Sequence, residues 1–327
     1  MVRKNLFLCL HMIFFSSRWL KSHFAGIVLM MFSQSLFSQG CSDAGACSLG
    51  AMSSNDDAVV RTGVQMSLQY ARGEQNVQIG IAQFDFIWKL NKRLGVQVKV
   101  PRTLVKGNIG STYGWGDITI AGIYRLKSVK HYKLDVTAGF KYGVNNAAKS
   151  RQDFPSFALP MPYQTSLGTH DVMIGGQMKY KRVWNFGLAF QIPVFQFNKN
   201  GFDTTNNLEP RTKQYFSSYH LFRRPDAVVR IDKTFIFAKK FGFTAGALAI
   251  YHLGHDRALT SESNFKTDAA ISGSKGLTLN IPLALAYDSG KHWELAFKFA
   301  APVIVRRVRP DGLTRHFVTA FELKYNL

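Results

Sequence analysis

Between His131 and Val144 the chain reads H-Y-K-L-D-V-T-A-G-F-K-Y-G-V. Tyr132, Leu134, Val136, Ala138, Phe140, Tyr142 and Val144 share one parity. Lys133, Asp135, Thr137, Gly139, Lys141 and Gly143 share the other. Successive side chains leave a strand on opposite sides, so a period of two specifies an extended segment with one apolar and one polar face. The apolar face is aromatic at both ends and aliphatic between, a distribution suited to lipid bounded by two interfaces.

The same alternation recurs along the chain. It appears in Val64–Tyr70, Val77–Leu90, Val96–Val100, Trp115–Leu126, Val172–Tyr180, Trp184–Val194, Val229–Phe237, Phe243–Leu253, Leu277–Tyr287, Trp293–Phe299 and Phe317–Leu327. In the second of these, Val77, Ile79 and Ile81 have the opposite parity to Phe84, Phe86 and Trp88, which predicts a β-bulge near Ala82. The total is about twelve strands, an even number as in bacterial barrels. Short links near Asn91, Ser128, Arg182, Lys239 and Ser289 alternate with longer ones at 103–113, 145–168, 199–225, 254–274 and 306–315. The first hairpin, near Gly73, is the one short link in the long-link series. Short periplasmic turns alternating with long outer loops put both termini on the periplasmic side. Lipid forbids open sheet edges, so such strands must close on themselves. The expected fold is all-β: a transmembrane antiparallel up-and-down barrel over residues 59–327. A soluble sandwich or barrel also alternates, but seldom carries so many outward aromatics.

Residues 1–38 have the form of a secretory signal peptide. Arg3, Lys4, Arg18 and Lys21 precede the apolar run Phe24–Phe32, and small and polar residues follow. That run is shorter than the ~20 residues a helical span needs. Residues 39–58, with Asp43, Asp56 and Asp57, are expected to form a flexible arm. Cys41 and Cys47 form a close pair, which in an exported chain reads as a short disulfide loop. No second Cys or His pair at ligand spacing accompanies them, so no metal and no cofactor is expected. The formal net charge of the 327-residue chain is +21. The bases are spread over turns and alternate strand positions without any nucleic-acid-binding module, so nucleic acid is not the expected partner.

Gly114-Trp115-Gly116-Asp117-Ile118-Thr119, followed by Tyr124-Arg125-Leu126, resembles the strand entry of the outer-membrane family named for the MetA pathway of phenol degradation. That family is related in outline to FadL-type transporters of hydrophobic compounds. Asn280-Ile281-Pro282 and Ala301-Pro302 fit the same style. The ending Phe321-x-Leu323-x-Tyr325-x-Leu327 is similar to the signal read by the barrel-assembly machinery, with Leu at the last position where an aromatic is usual. The Gly40-Cys41-Ser42-Asp43-Ala44-Gly45 start resembles exported proteins of Bacteroidetes-like bacteria. The resemblance implies a porin-like transporter in the outer membrane of a Gram-negative cell.

By parity, the inward set includes Lys99, Asp117, Arg125, Lys133, Asp135, Lys141, Lys179, Arg230, Asp232 and Lys298. These residues could line a polar conduit with a mild preference for anions. They could equally form salt bridges that fill the interior, as side chains do in small barrels. Two long loops are apolar: one carries Phe154, Phe157 and Tyr163, the other Phe216, Tyr219 and Phe222. Either they capture a hydrophobic or aromatic solute at the mouth, or they fold over one another and close it. Basic residues in the short turns, among them Lys92, Arg93, Lys127, Lys130, Lys181 and Arg182, suit either anionic headgroups or open solvent. An outer-membrane hydrolase would need a nucleophile and base at the rim. Ser217, Ser218 and His220, or His252, His255 and Asp256, are the candidates, none within a recognisable motif. The sequence thus points to a non-enzymatic channel or transporter in outer-membrane lipid for small hydrophobic, aromatic or anionic solutes. A closed structural or surface-binding barrel is the alternative.

Overall fold

A computed structural model describes residues 61–204, 209–238, 240–262, 265–313 and 315–327. The signal-peptide segment, the acidic arm and the Cys41/Cys47 pair lie outside the described residues. Among the described residues fifteen strands follow one another: β1 (Gly63–Gly73), β2 (Gln78–Lys89), β3 (Leu94–Gly107), β4 (Gly110–Trp115), β5 (Ile118–Ser128), β6 (Tyr132–Tyr142), β7 (Thr169–Tyr180), β8 (Trp184–Gln196), β9 (Asp226–Ala238), β10 (Phe241–His252), β11 (Arg257–Glu262), β12 (Phe265–Ala270), β13 (Gly276–Asp288), β14 (Trp293–Ile304) and β15 (Arg315–Asn326). Twelve of them form a ring in the order β1-β2-β3-β5-β6-β7-β8-β9-β10-β13-β14-β15, closed by the pairing of β15 with β1. Every pairing in the ring is antiparallel.

Closure follows from what the outer face presents. Leu68 and Ile120 are each 50% exposed and Phe237 is 63% exposed, in company with Phe86, Phe140, Phe190, Ile231 and Phe297. Such a belt is stable only in hydrocarbon, and there a backbone group must find its partner within the sheet. The alternating residues therefore place their apolar set on lipid and their polar set inside, making this a membrane-spanning barrel.

At one end of the ring the links are tight. Val183 N–H bonds back to Tyr180 O, and Asn91 Oδ1 accepts from Arg93 N–H and Leu94 N–H. Both ends of the barrel chain, Gly63 and Asn326, lie at this short-turn end. At the other end, the segments 103–113 and 254–274 are not plain loops. β3 runs on past the ring to pair with β4, and β11 pairs with β12.

The β-bulge expected near Ala82 is absent. β1 and β2 pair without a register shift from Gly63↔Ile87 to Arg72↔Gln78. Ile79 and Ile81 simply face inward, opposite Ala71 and Gln69, while Phe84 and Phe86 face out. The parity changes because the inside of the barrel is itself apolar at the long-loop end.

Candidate functional site

Two halves of the inner wall differ. On β5–β9 the inward side chains fill the space they enclose. Arg125 meets Asp135 through two parallel contacts, Nε to Oδ1 and Nη2 to Oδ2, both 2.8 Å. These residues face each other directly across β5 and β6, where opposite charges support the register. Gln177 donates to Asn185 Oδ1 at 2.5 Å, and Asn185 Nδ2 donates to Asp232 Oδ2 at 3.2 Å. Asp232 also pairs with Arg230 and lies so close over Gly246 of β10 that a Cβ there would meet Oδ1 at 2.1 Å. Above this polar layer Ala121, Met173, Ala189, Val228 and Leu248 pack as a small apolar core.

On β13–β15, and on β10 between its short turn and Leu248, several inward positions are small. Thr244, Ala284, Ala300 and Ala320 stand there, with Lys298 and Glu322 between them. The space they leave is a cavity of ≈ 310 Å³, completed by Gln65, Gln69 and Ile81 on β1 and β2 and by Lys99 and Thr119 across the lumen. A second cavity, of ≈ 200 Å³, continues from it toward the short-turn end. The two share Gln65 and Glu322, and the second is bordered by Glu294, Lys324 and Asp288. The lumen is therefore eccentric, solid along β5–β9 and hollow along β10, β13–β15 and β1.

The hollow is polar on its charged ridge and apolar near its roof. Lys99, Lys141, Arg230, Lys298 and Arg315 line it against Asp117, Asp311 and Glu322, so bases outnumber acids. Each of the first four has an acidic neighbour: Lys99 with Asp85 at 3.1 Å, Lys141 with Asp171 at 2.8 Å and Asp117 at 3.4 Å, Arg230 with Asp232, and Lys298 with Glu322 at 2.7 Å. Ile79, Val105, Met161, Leu313 and Val318 form the apolar part.

A plug made by the long loops roofs the cavity. Ala71, Val77, Ile79, Val105 and Ile109 from the β1–β4 region pack with Leu159, Tyr163, Phe202, Tyr215 and Leu313 from three loops. Tyr163 is fully buried and its Oη lies 3.0 Å from that of Tyr215. Burial lifts both phenols above the usual tyrosine range. Tyr163 rests on Gly107, where a Cβ would come within 2.2 Å of its Oη. Asn200 stitches the loops together, donating to Ala147 O and Leu159 O and accepting from Phe202 N–H and Ser218 Oγ.

Beside this core lies a buried charge network. Arg223 reaches Asp311 at 3.0 Å and Asp226 at 3.1 Å. Arg306 reaches Asp311 at 2.7 Å and donates to Ser274 O. His252 sits between Asp226 (Nδ1 to Oδ1, 2.6 Å) and Asp256 (Nε2 to Oδ1, 2.7 Å). Burial alone would raise the Asp311 carboxyl. The Arg306 and Arg223 guanidiniums outweigh it and hold that carboxyl well below the usual carboxylate range. Arg309 adds a clasp to Glu74 at 3.0 Å, joining the β14–β15 loop to the first hairpin.

The residues expected inside the barrel thus divide. Lys99, Asp117, Lys141, Arg230 and Lys298 border the hollow. Arg125, Asp135 and Asp232 belong to the filled wall, and Lys133 and Lys179 face one another across β6 and β7 near the short turns. Asp117, in the Gly-Trp-Gly-Asp segment where β4 gives way to β5, accepts from Val144 N–H and Leu167 N–H and so ties down both ends of the β6–β7 loop. Among the loop aromatics, Tyr163 lies in the plug core, with Phe157 packed partly buried against it. Phe154, Phe216 and Phe222 stay exposed, the last two beneath Arg309 and Arg224, and Tyr219 stacks edge-on with His220. Of the hydrolase candidates, His252 has a carboxylate on each ring nitrogen, which leaves no nitrogen to activate a hydroxyl. Ser218 is buried and bonded to Asn200. The small residues of the hollow wall and the Arg223–Arg306–Asp311 network carry no local sequence signal. They become visible only through register and loop packing.

No protein-family model matches this sequence, and no curated protein matches it either. The fold resembles the solved COG4313 outer membrane channel from Pseudomonas putida F1, with a TM-score of 0.56 at 11% identity over 82% of this chain and 96% of that one. A looser likeness, TM-score 0.46 at 7% identity over 81% of this chain and 100% of the other, is to the NanC porin.

Proposed function

We propose that this barrel is an outer-membrane channel for small solutes, and that solute passes along the hollow β10, β13–β15 and β1 wall rather than down the barrel axis. The observation that carries this reading is the pair of adjoining cavities, which run from beneath the plug to the short-turn end past a wall of small side chains. Its paired bases and acids beside apolar Ile79, Val105 and Leu313 suit small solutes that combine a polar group with an apolar portion. The similar solved structure is named an outer membrane channel, which supports the reading. The polar contacts inside and the apolar belt outside fit a chain exported to that membrane, with the short turns facing the periplasm.

A closed barrel is the second reading, favoured by the buried Tyr163–Tyr215 plug. Planar-bilayer recording separates the two. Discrete conductance steps are expected that fall severalfold in Ala300→Trp and shift in selectivity toward cations in Lys298→Gln, which leaves Glu322 without that ion pair. A folded native protein that gives no steps would leave the closed barrel standing.

A further inference from the structure

We propose that the short-turn rim from β5 to β9 is a binding site for an anionic phospholipid, with its phosphodiester on Lys127, Lys181 and Arg182 and its acyl chains along Tyr132, Tyr180 and Trp184. The inference needs the membrane-spanning fold but not the channel reading.

The turns on this side form one continuous ledge. Arg125 N–H donates to Arg93 O at 2.7 Å, Lys181 N–H to His131 O at 2.7 Å, and Thr234 N–H to Val183 O at 2.8 Å. Segments 86–94, 124–133 and 180–184 hold no acidic residue. The β13–β14 turn differs: Asp288 Oδ1 accepts from Gly290 N–H, the usual turn chemistry of an acid and a glycine.

Two local features place charge on the ledge against backbone preference. Lys181 (φ 49°) and Arg182 (φ 60°) occupy both central positions of the β-turn Tyr180–Val183, within the three-residue connection of β7 to β8, and both lie in the left-handed region, where Asn and Gly are favoured. A strained turn that keeps two long cations points to a use for them. Second, the pairing of β5 with β6 skips Leu126, matching Arg125 with Asp135 and Lys127 with Leu134. That irregularity turns Lys127 from the lumen to the lipid face, the face Leu134 occupies.

The level of these charges selects the ligand. Lys127 lies over Tyr132 (5.6 Å), Lys181 over Tyr180 (5.2 Å) and Lys233 over Trp184 (5.1 Å). All three rings belong to the outward face, so the cations sit at the hydrocarbon boundary. A ligand there must carry negative charge at headgroup depth and chains beside the rings, which is the chemistry of an anionic phospholipid rather than of a soluble anion.

Tryptophan quenching by brominated lipid tests this in the full mature chain. One protein keeps Trp184 as sole tryptophan and another keeps Trp293, each in phosphatidylcholine vesicles doped with brominated phosphatidylglycerol or brominated phosphatidylcholine. Brominated phosphatidylglycerol is expected to quench Trp184 at about fivefold lower mole fraction than brominated phosphatidylcholine, with no difference at Trp293. Lys127→Gln/Lys181→Gln/Arg182→Gln should erase the preference. Lys181→Asn/Arg182→Gly, which suits the turn better and guards against misfolding, should weaken it while raising stability. Equal quenching at Trp184, a preference that survives the triple change, or its removal by inorganic phosphate against chloride at matched ionic strength would overturn the assignment.

Discussion

The β5–β9 wall and the β10, β13–β15 wall belong to one continuous sheet, yet they do opposite things with their inner faces. The first carries Met173, Gln177, Asn185, Arg125 and Asp135, whose side chains span the space in front of them and satisfy one another. The second alternates Ala284, Ala300 and Ala320 with Lys298 and Glu322, and leaves a hollow. Identical backbone geometry thus gives a core on one side and a cavity on the other. In a barrel of this size side-chain volume, more than strand number, sets where the interior stays open.

The two walls should respond differently to loss of a charge. Asp135 is 5% exposed, so Asp135→Ala takes away the buried carboxylate that both Arg125 contacts meet and should cost about 3–5 kcal/mol in denaturant unfolding of the refolded barrel. Glu322→Ala leaves Lys298, whose side chain is 26% exposed, beside the open cavity, and the loss there should stay under about 1 kcal/mol. Equal costs would erase the distinction.

Packing changes sharpen the same contrast. Met173→Ala opens a cavity inside a close-packed cluster and should cost about 2–3 kcal/mol. Ala300→Leu grows into empty space and should leave the unfolding midpoint nearly unchanged while reducing conductance. The plug follows the filled wall: Gly107→Ala drives a methyl into the Tyr163 hydroxyl and should cost about 1–3 kcal/mol, read as faster proteolysis of the long loops.

Acid offers a smaller and graded probe of the plug. The Asp311 carboxyl is depressed in the folded protein, so its contribution is complete at neutral pH and drains away as pH falls below about 4, the unfolded carboxylate value. Asp311→Asn should flatten the acid limb of stability between that pH and lower values. An unchanged acid limb would detach Asp311 from the network.

Most of the strands are legible from alternation because lipid outside and polar groups inside impose the same period on every one. Across β2–β3, β5–β6 and β6–β7, the facing partners Asp85 and Lys99, Asp135 and Arg125, and Lys141 and Asp171 follow once register is known. The exceptions have physical causes. Ile79 and Ile81 read as a bulge because an apolar inward face looks like an outward one, and the plug that makes the interior apolar comes from residues far along the chain. Lys127 has lumen parity, and only the irregularity at Leu126 turns it outward. The Arg223–Asp311 pair spans 88 positions and the Arg309–Glu74 pair 235, distances over which no local pattern speaks. The alanines of the hollow wall look like weak strand formers until the sheet sets them side by side.

One wall of the barrel is hollow and the other solid, and this difference can be read chemically. It is tested most directly by thiol labelling in a background lacking Cys41 and Cys47, with single cysteines at Ala300 and Ala121. Ala121 is 1% exposed within the packed cluster. Ala300→Cys should be modified rapidly in the folded barrel by a charged, water-soluble thiol reagent, and Ala121→Cys should stay protected until the protein is denatured. Comparable rates at the two positions, or protection of both, would contradict it.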